Sequence, residues 1–190
     1  MDEIHDTLQE NKLLARKFYR IEKALAGSAS PDGLFEQLLT QIEREFSVPY
    51  AWISLINNGP LSGVIDSLKE SAYLKDRINL IDEAALLDLL GGGASPVLAN
   101  TDLQPFYKLL PKNVKYFIKS IAIAPLTADG AIAGSLNLGD SSPGRYRPGM
   151  DTDLLKRLVN SVSLSLSAIL ARHGEASTPV GENTGGSENI

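Results

Sequence analysis

The chain has 190 residues, 43% hydrophobic and 22% charged, which suits one globular domain with helical or flexible extensions. Its net charge of -5 argues against general attraction to nucleic acid or anionic lipid. Cysteine is absent, which excludes disulfides, thiolate metal sites and a cysteine nucleophile, and the two histidines, His5 and His173, lie near the ends, which argues against a histidine metal site or a Ser-His-Asp device inside the domain.

Residues 2–26 read as one long helix. Leu14, Phe18, Ile21 and Leu25 recur at steps of four, three and four, a narrow seam that continues backwards through Asn11, Thr7 and Ile4 and turns polar on the way. About 25 helical residues extend ~37 Å, more than a compact domain of this size covers. The seam therefore reads as a dimerising helix with Asn11 setting its register; the alternative is a helix packed along its own domain. Gly27-Ser28-Ala29-Ser30-Pro31 breaks it, with Ser30 as N-cap and Pro31 at N1 of a second helix. Leu34, Leu38, Ile42 and Phe46, flanked by Phe35 and Leu39, give that helix a broad core-facing side.

Ser47-Val48-Pro49 ends the second helix, and Tyr50 to Asn57 follows as a strand rich in aromatic and β-branched residues. Asn57-Asn58-Gly59-Pro60 turns the chain, and Leu61 to Ile65 is expected to form a short partner strand. Lys69 to Asp76 is read as helical. Asp82 to Leu90 is a clearer helix, closed by Gly91-Gly92-Gly93, which lacks the Lys-Ser/Thr of a phosphate loop and serves as a C-cap. Pro96 to Ala99 reads as an edge strand, and Asp102 to Leu110 as a helical turn before Pro111. Lys108, Lys112, Lys115 and Lys119, interleaved with Tyr107, Tyr116 and Phe117, form either a cationic rim for an acidic ligand or a solvated stripe interrupted by Pro111.

Ser120 to Pro125 and Ile132 to Leu138 read as two strands joined by Asp129-Gly130, a pair that supplies the positive φ of a tight hairpin. Gly134 sits mid-strand, where a neighbouring backbone comes close. A last helix begins near Asp151 and runs to about Arg172, with Leu155, Leu158, Val162, Ser165 and Ile169 on one seam. From Gly174 onward no apolar period remains and disorder is expected. The organisation is a dimerisation helix over 1–29, a domain over 30–172 and a disordered tail over 173–190. No apolar run approaches the ~20 residues of a membrane helix, and the polar, acidic start is unlike a secretory signal, so a cytoplasmic protein without a membrane partner is expected.

Strand parity assigns the faces of the sheet. Successive strand residues point to opposite sides, so Trp52, Ser54 and Ile56 oppose Ala51, Ile53 and Leu55, while Ser135 and Asn137 oppose Leu136 and Leu138. A face packed on helices would not bury an unpaired amide or hydroxyl, at ~1–3 kcal/mol each. Ile53, Leu55, Leu136 and Leu138 are therefore assigned to the helical layer. Trp52, Ser54, Ser135 and Asn137 face the irregular middle segment, which either roofs a ligand pocket or simply covers this side.

Pro125-Leu126, the Asp129-Gly130 turn, Gly134-x-Leu136-x-Leu138, Tyr146, Asp151 and Leu154-Leu155 together resemble the C-terminal half of a GAF domain. LFEQLLTQIEREFSVPYAWISLI behind a long opening helix is similar to a bacterial GAF-like group of unknown function. The resemblance covers about residues 30–172. It implies an α/β (α+β) fold, an antiparallel sheet of five or six strands in the order 2-1-5-4-3, helices on both faces and the long terminal helices on one side. It also implies that the middle segment covers a ligand pocket. Asn79-Leu80-Ile81-Asp82-Glu83 faintly resembles the signature of cyclic-nucleotide-binding GAF domains, but its Lys and Phe are missing and that function is not carried over. The candidate ligand-binding set is Trp52, Ser54, Tyr73, Asn100, Phe106, Tyr107, Lys115, Tyr116, Ser135 and Asn137; the candidate dimer interface is Leu14, Phe18, Ile21, Leu25, Leu155, Leu158, Val162 and Ile169. No cofactor, metal or catalytic residue is assigned. The expectation is a non-catalytic homodimeric sensor of an unidentified small molecule, read out by a separate output protein; the alternative is a structural dimerisation module without ligand.

Overall fold

The computed structural model describes residues 2–110, 114 and 116–176. Helix α1, Asp2–Leu25, is followed by α2, Pro31–Phe46, whose N-cap Ser30 accepts the Gly33 N–H at 3.2 Å. Strand β1, Tyr50–Ile56, leads into a 3-10 turn, Ser62–Val64, and a short helix α3, Ile65–Glu70. Strand β2, Ile78–Ile81, helix α4, Glu83–Leu89, and strand β3, Val97–Ala99, come next, then a 3-10 turn over Gln104–Lys108. Strands β4, Ser120–Ala128, and β5, Ala131–Asp140, form the hairpin, with φ of 51° at Asp129 and 78° at Gly130. Helix α5 spans Asp153–Ala176, and Asp151 Oδ1 accepts the Asp153 N–H at 2.7 Å, so the acid expected at the helix start sits just ahead of it. The helix includes residues 173–176, assigned above to the tail; the remainder of that tail lies outside the described residues.

One five-stranded sheet runs β2-β1-β5-β4-β3, the order the resemblance implies. The strand expected over 61–65 is instead the 3-10 turn and the start of α3. The true second strand is Ile78–Ile81, which pairs with β1 in parallel, Ile53 opposite Ile78 through Ile56 opposite Ile81. A parallel neighbour requires a crossover of a dozen or more residues; residues 57–77 supply it, and their Leu61, Ile65, Leu68 and Leu74 pack into the core on the helical side. The remaining pairings are antiparallel.

Each face of the sheet carries its own core. On one side Ala51, Ile53, Leu55, Ala122, Ala124, Leu126, Leu136 and Leu138 meet α1, α2 and α5. On the other, Trp52, Ile56, Ile121 and Ile123 meet Leu86 and Leu89 of α4 with Leu109, Leu110 and Ile118 of the segment that follows β3. Residues Asp153–Gly174 of α5 are by length and composition apolar enough to cross a membrane, which amends the expectation above. In this fold that helix lays Leu158, Val159, Val162, Leu166 and Ile169 against the sheet.

Only the first part of β4 is paired with β3, leaving its far end as an open edge. Pro125 has no N–H to offer there. The next two outward N–H groups are taken up by α5: Thr127 donates to Ser163 Oγ at 2.9 Å and Asp129 to Ser167 Oγ at 3.0 Å. Each hydroxyl in turn donates to a carbonyl of its own helix, Val159 at 2.7 Å and Ser163 at 3.0 Å. Ser163→Ala is expected to lower the stability by ~1–2 kcal/mol, since Ser163 is buried and both its bonds are lost. Ser167→Ala should cost less, because Ser167 is only half-buried and water can replace its hydroxyl. Urea midpoints of the two variants check the order; equal losses would contradict it.

Candidate functional site

Two places on the molecule merit a functional reading, one on each face. On the face away from the long helices, strand parity brings Trp52, Ser54, Ser135 and Asn137 together as expected, all buried. The Asn137 amide lies 2.9 Å from both the Ser54 and the Ser135 hydroxyls. With its oxygen toward Ser54, that oxygen also meets the Trp52 indole N–H at 3.2 Å while the nitrogen donates to Ser135. We adopt this orientation because every group then has a donor–acceptor match. The indole N–H donates chiefly to the Leu109 carbonyl at 2.7 Å. Asn79 Nδ2 completes the group, donating to the Lys108 carbonyl at 3.1 Å and reaching Ser54 Oγ at 3.4 Å.

The segment over 100–110 is thus a roof latched to a polar floor through two of its own main-chain carbonyls. Phe106 packs half-buried at the edge of this core. Tyr107 and Tyr116 point outward, at 38% and 71% exposure. Tyr73 lies with the opposite core, its hydroxyl 3.4 Å from Glu43 and the Arg77 guanidinium 4.4 Å over its ring. Asn100 donates to the Pro143 carbonyl at 2.9 Å, tying the end of β3 to the loop after β5. Tyr73 and Asn100 are therefore withdrawn from the floor, the first because the crossover runs on the helical side and the second because it is held by the Pro143 loop. Lys115 and Lys112 lie outside the described residues. A cavity of about 260 Å³ opens at the end of this floor, between Tyr50, Trp52, Asp76, Arg77 and Val114. Asn79 was missed because its strand was placed at 61–65; parity within Ile78–Ile81 would have found it.

The larger space, about 550 Å³, is on the helical face, where α1 and α5 part. Its walls are Leu14, Ala15, Phe18, Leu154, Leu155 and Leu158, and its floor is Ala122 and Leu138. The small side chains of Ala15 and Ala122 leave the volume unfilled. Arg145 closes one end, bound to Asp140 Oδ2 at 3.0 Å and to the Phe46 and Ser47 carbonyls at the α2 terminus. Burial pushes the neighbouring Tyr146 hydroxyl up to about 12, against a downward pull from Arg145, so it stays neutral at ordinary pH. Of the expected interface, Phe18, Ile21, Leu25, Leu158, Val162 and Ile169 are buried within the single chain. Those six are therefore core positions, packed between α1, α2, α5 and the sheet. Leu14, at 40% exposure, and the half-buried Leu155 remain open, both on this groove.

Among the described residues no group of three or more His, Cys, Asp or Glu could hold a metal ion. No family model matches the sequence, and no curated protein matches it. Among solved structures, the chain is similar to the GAF domain of an Acinetobacter phosphoenolpyruvate-protein phosphotransferase, with a TM-score of 0.55 and 15% identity over 87% of this chain and 96% of that one. It is also similar to a domain of a protein described as a two-component sensor histidine kinase from Sinorhizobium meliloti, with a TM-score of 0.50 and 13% identity over 80% of this chain and 100% of that one. With the last strand at the centre of the sheet, the first beside it and the segment between β3 and β4 folded over one face, the chain has a GAF-like fold.

Proposed function

We propose that the chain is a non-catalytic regulatory module that senses a small molecule, acts as a homodimer and passes its signal through α1 and α5 to a partner protein. The observation that carries this reading is the latched roof. Trp52, Asn79, Ser54 and Asn137 form a polar floor whose contacts to the roof are two main-chain carbonyls, and a ligand carrying acceptor oxygens offers the same bonds once the roof lifts. The strand that carries Asn137 toward the ligand carries Leu136 and Leu138 toward the helices, so a shift in β5 reaches α2 and α5 through packed side chains. The ligand moves this equilibrium only by as much as it prefers one arrangement over the other. The similarity to a domain described as part of a sensor histidine kinase supports a regulatory role.

A structural dimerisation module without ligand is the second reading. It is favoured by one observation: among the described residues, no buried side-chain nitrogen or oxygen lacks a hydrogen-bond partner. The two part company in a fluorescence screen, because Trp52 is the only tryptophan in the chain and its indole is the latch. A metabolite library should contain a compound that shifts Trp52 emission and raises the melting temperature. Asn79→Ala should weaken that compound by on the order of tenfold, the worth of one hydrogen bond. A library that moves neither emission nor melting temperature leaves the structural module as the function.

A further inference from the structure

The first half of α1 extends beyond the packed core. Residues 5–14 are all exposed although the helix is continuous from Asp2, and Leu8 and Leu14 are 53% and 40% open. A helical extension of that length is marginal in water without a packing partner. The groove described above begins where this extension meets the domain, and Asn11, Leu14 and Ala15 belong to both. An exposed helix carrying Leu8 and Leu14 and an unfilled apolar groove therefore stand end to end on one surface, which is the layout of a self-complementary, two-fold contact.

Charge along the helix decides the direction. Asp2, Glu3, Asp6 and Glu10 make its first ten residues acidic with no Lys or Arg, whereas Lys12, Arg16, Lys17, Arg20 and Lys23 make the remainder basic, opposed by Glu22 alone. In the single chain Glu22 pairs with Arg157 and Arg20 with Glu45, so Lys12, Arg16, Lys17 and Lys23 keep that half positive. Two such helices side by side in parallel set acid against acid within a screening length. Antiparallel, each acidic half runs along a basic half, and the helix dipoles oppose favourably as well.

We infer that, in the homodimer proposed above, the α1 extension of each copy lies antiparallel in the groove of the other, Leu8 entering beside the partner's Ala15. The small Ala15 side chain is what makes room for the leucine. Asn11 falls next to the two-fold axis, where an amide can pair with its own copy and set the register. Phe18, Ile21 and Leu25 stay in their own domain throughout. This inference rests on the homodimer reading and adds its surface and its direction.

The absence of native cysteine makes the test direct. Leu8→Cys and Ala15→Cys proteins are purified separately, mixed in equal amounts, oxidised and resolved by mass. Antiparallel docking puts the 8–15 disulfide in excess over the 8–8 and 15–15 products, because only that pair comes within bonding range. Wild-type mass by light scattering should be twice that of the chain and fall toward the monomer as salt rises. Leu8→Glu should halve it and give a urea midpoint that no longer depends on protein concentration, since residue 8 contributes nothing to the core. A dimer giving 8–8 and 15–15 disulfides, or none, overturns the docking and leaves the homodimer standing. A wild-type monomer, or a Leu8→Glu protein that stays dimeric, overturns the docking as well; the first also ends the homodimer reading. Ligand sensing, read from Trp52, is judged independently of either.

Discussion

Gly134→Ala should leave little folded protein. The added Cβ would stand 2.0 Å from the Ser54 carbonyl oxygen and 3.1 Å from Leu55 Cα, both main-chain atoms of the adjoining strand. Neither can swing aside as a side-chain tip would. Relief requires β1 and β5 to separate at the middle of the sheet, where Leu55 faces Gly134 in register. Overpacking usually costs ~1–3 kcal/mol; with backbone as the obstacle a loss above ~4 kcal/mol is expected, among the largest single-residue effects. Gly63→Ala is the control, since nothing lies within 4 Å of its Cβ. A urea melt of Gly134→Ala matching that of Gly63→Ala would show that the two strands are not in this register.

Asn137→Ala ranks second. The amide is bonded to two hydroxyls and lies beside the indole N–H, with all of these groups buried. Removing it orphans Ser135, leaves Ser54 with only the long contact to Asn79 at 3.4 Å, and opens a small void in a buried site. Each unsatisfied group costs ~1–3 kcal/mol, so a loss of about 2–4 kcal/mol is expected by urea denaturation. Trp52 emission should shift with it, because the latch to Leu109 loses its second partner. A midpoint within ~0.5 kcal/mol of wild type, as for a surface change, would mean that the network is not closed as described.

The two faces of the sheet were legible because a strand's period is two and a polar side chain needs a partner. Those rules put Ser135 and Asn137 opposite Leu136 and Leu138 without any knowledge of the roof. The parallel strand was not legible. Ile78–Ile81 has four residues, only Ile81 of them fully buried, and its partner is far away in sequence, whereas Leu61 to Ile65 looks apolar for a different reason: it packs as helix on the opposite core. Of the α1 seam expected to pair with a second copy, Phe18, Ile21 and Leu25 pack on their own domain, the alternative given above, and Leu14 stays exposed. A step of four, three and four says that a helix has a partner, not whether the partner is α2 and α5 of its own chain or a second copy. Phe18 stacks 4.8 Å from Phe46, and Arg20 reaches Glu45, so its C-terminal half is used at home. Nothing in the residues announced the groove. It exists where Ala15 and Ala122 are small across a space that only the packed helices define.

The order of strands has a further consequence, for how the chain is made. The first strand sits between the second and the fifth, and its longer pairing, from Tyr50 opposite Gly139 to Leu55 opposite Gly134, is with the last. A ribosome releases β1 roughly eighty residues before β5, the central strand that pairs with it, so the middle of the sheet closes only when nearly the whole domain has been synthesised. Until then the inner edge of β1 is an unpaired row of amides, and a truncated chain ending before Ala131 has no means of covering it.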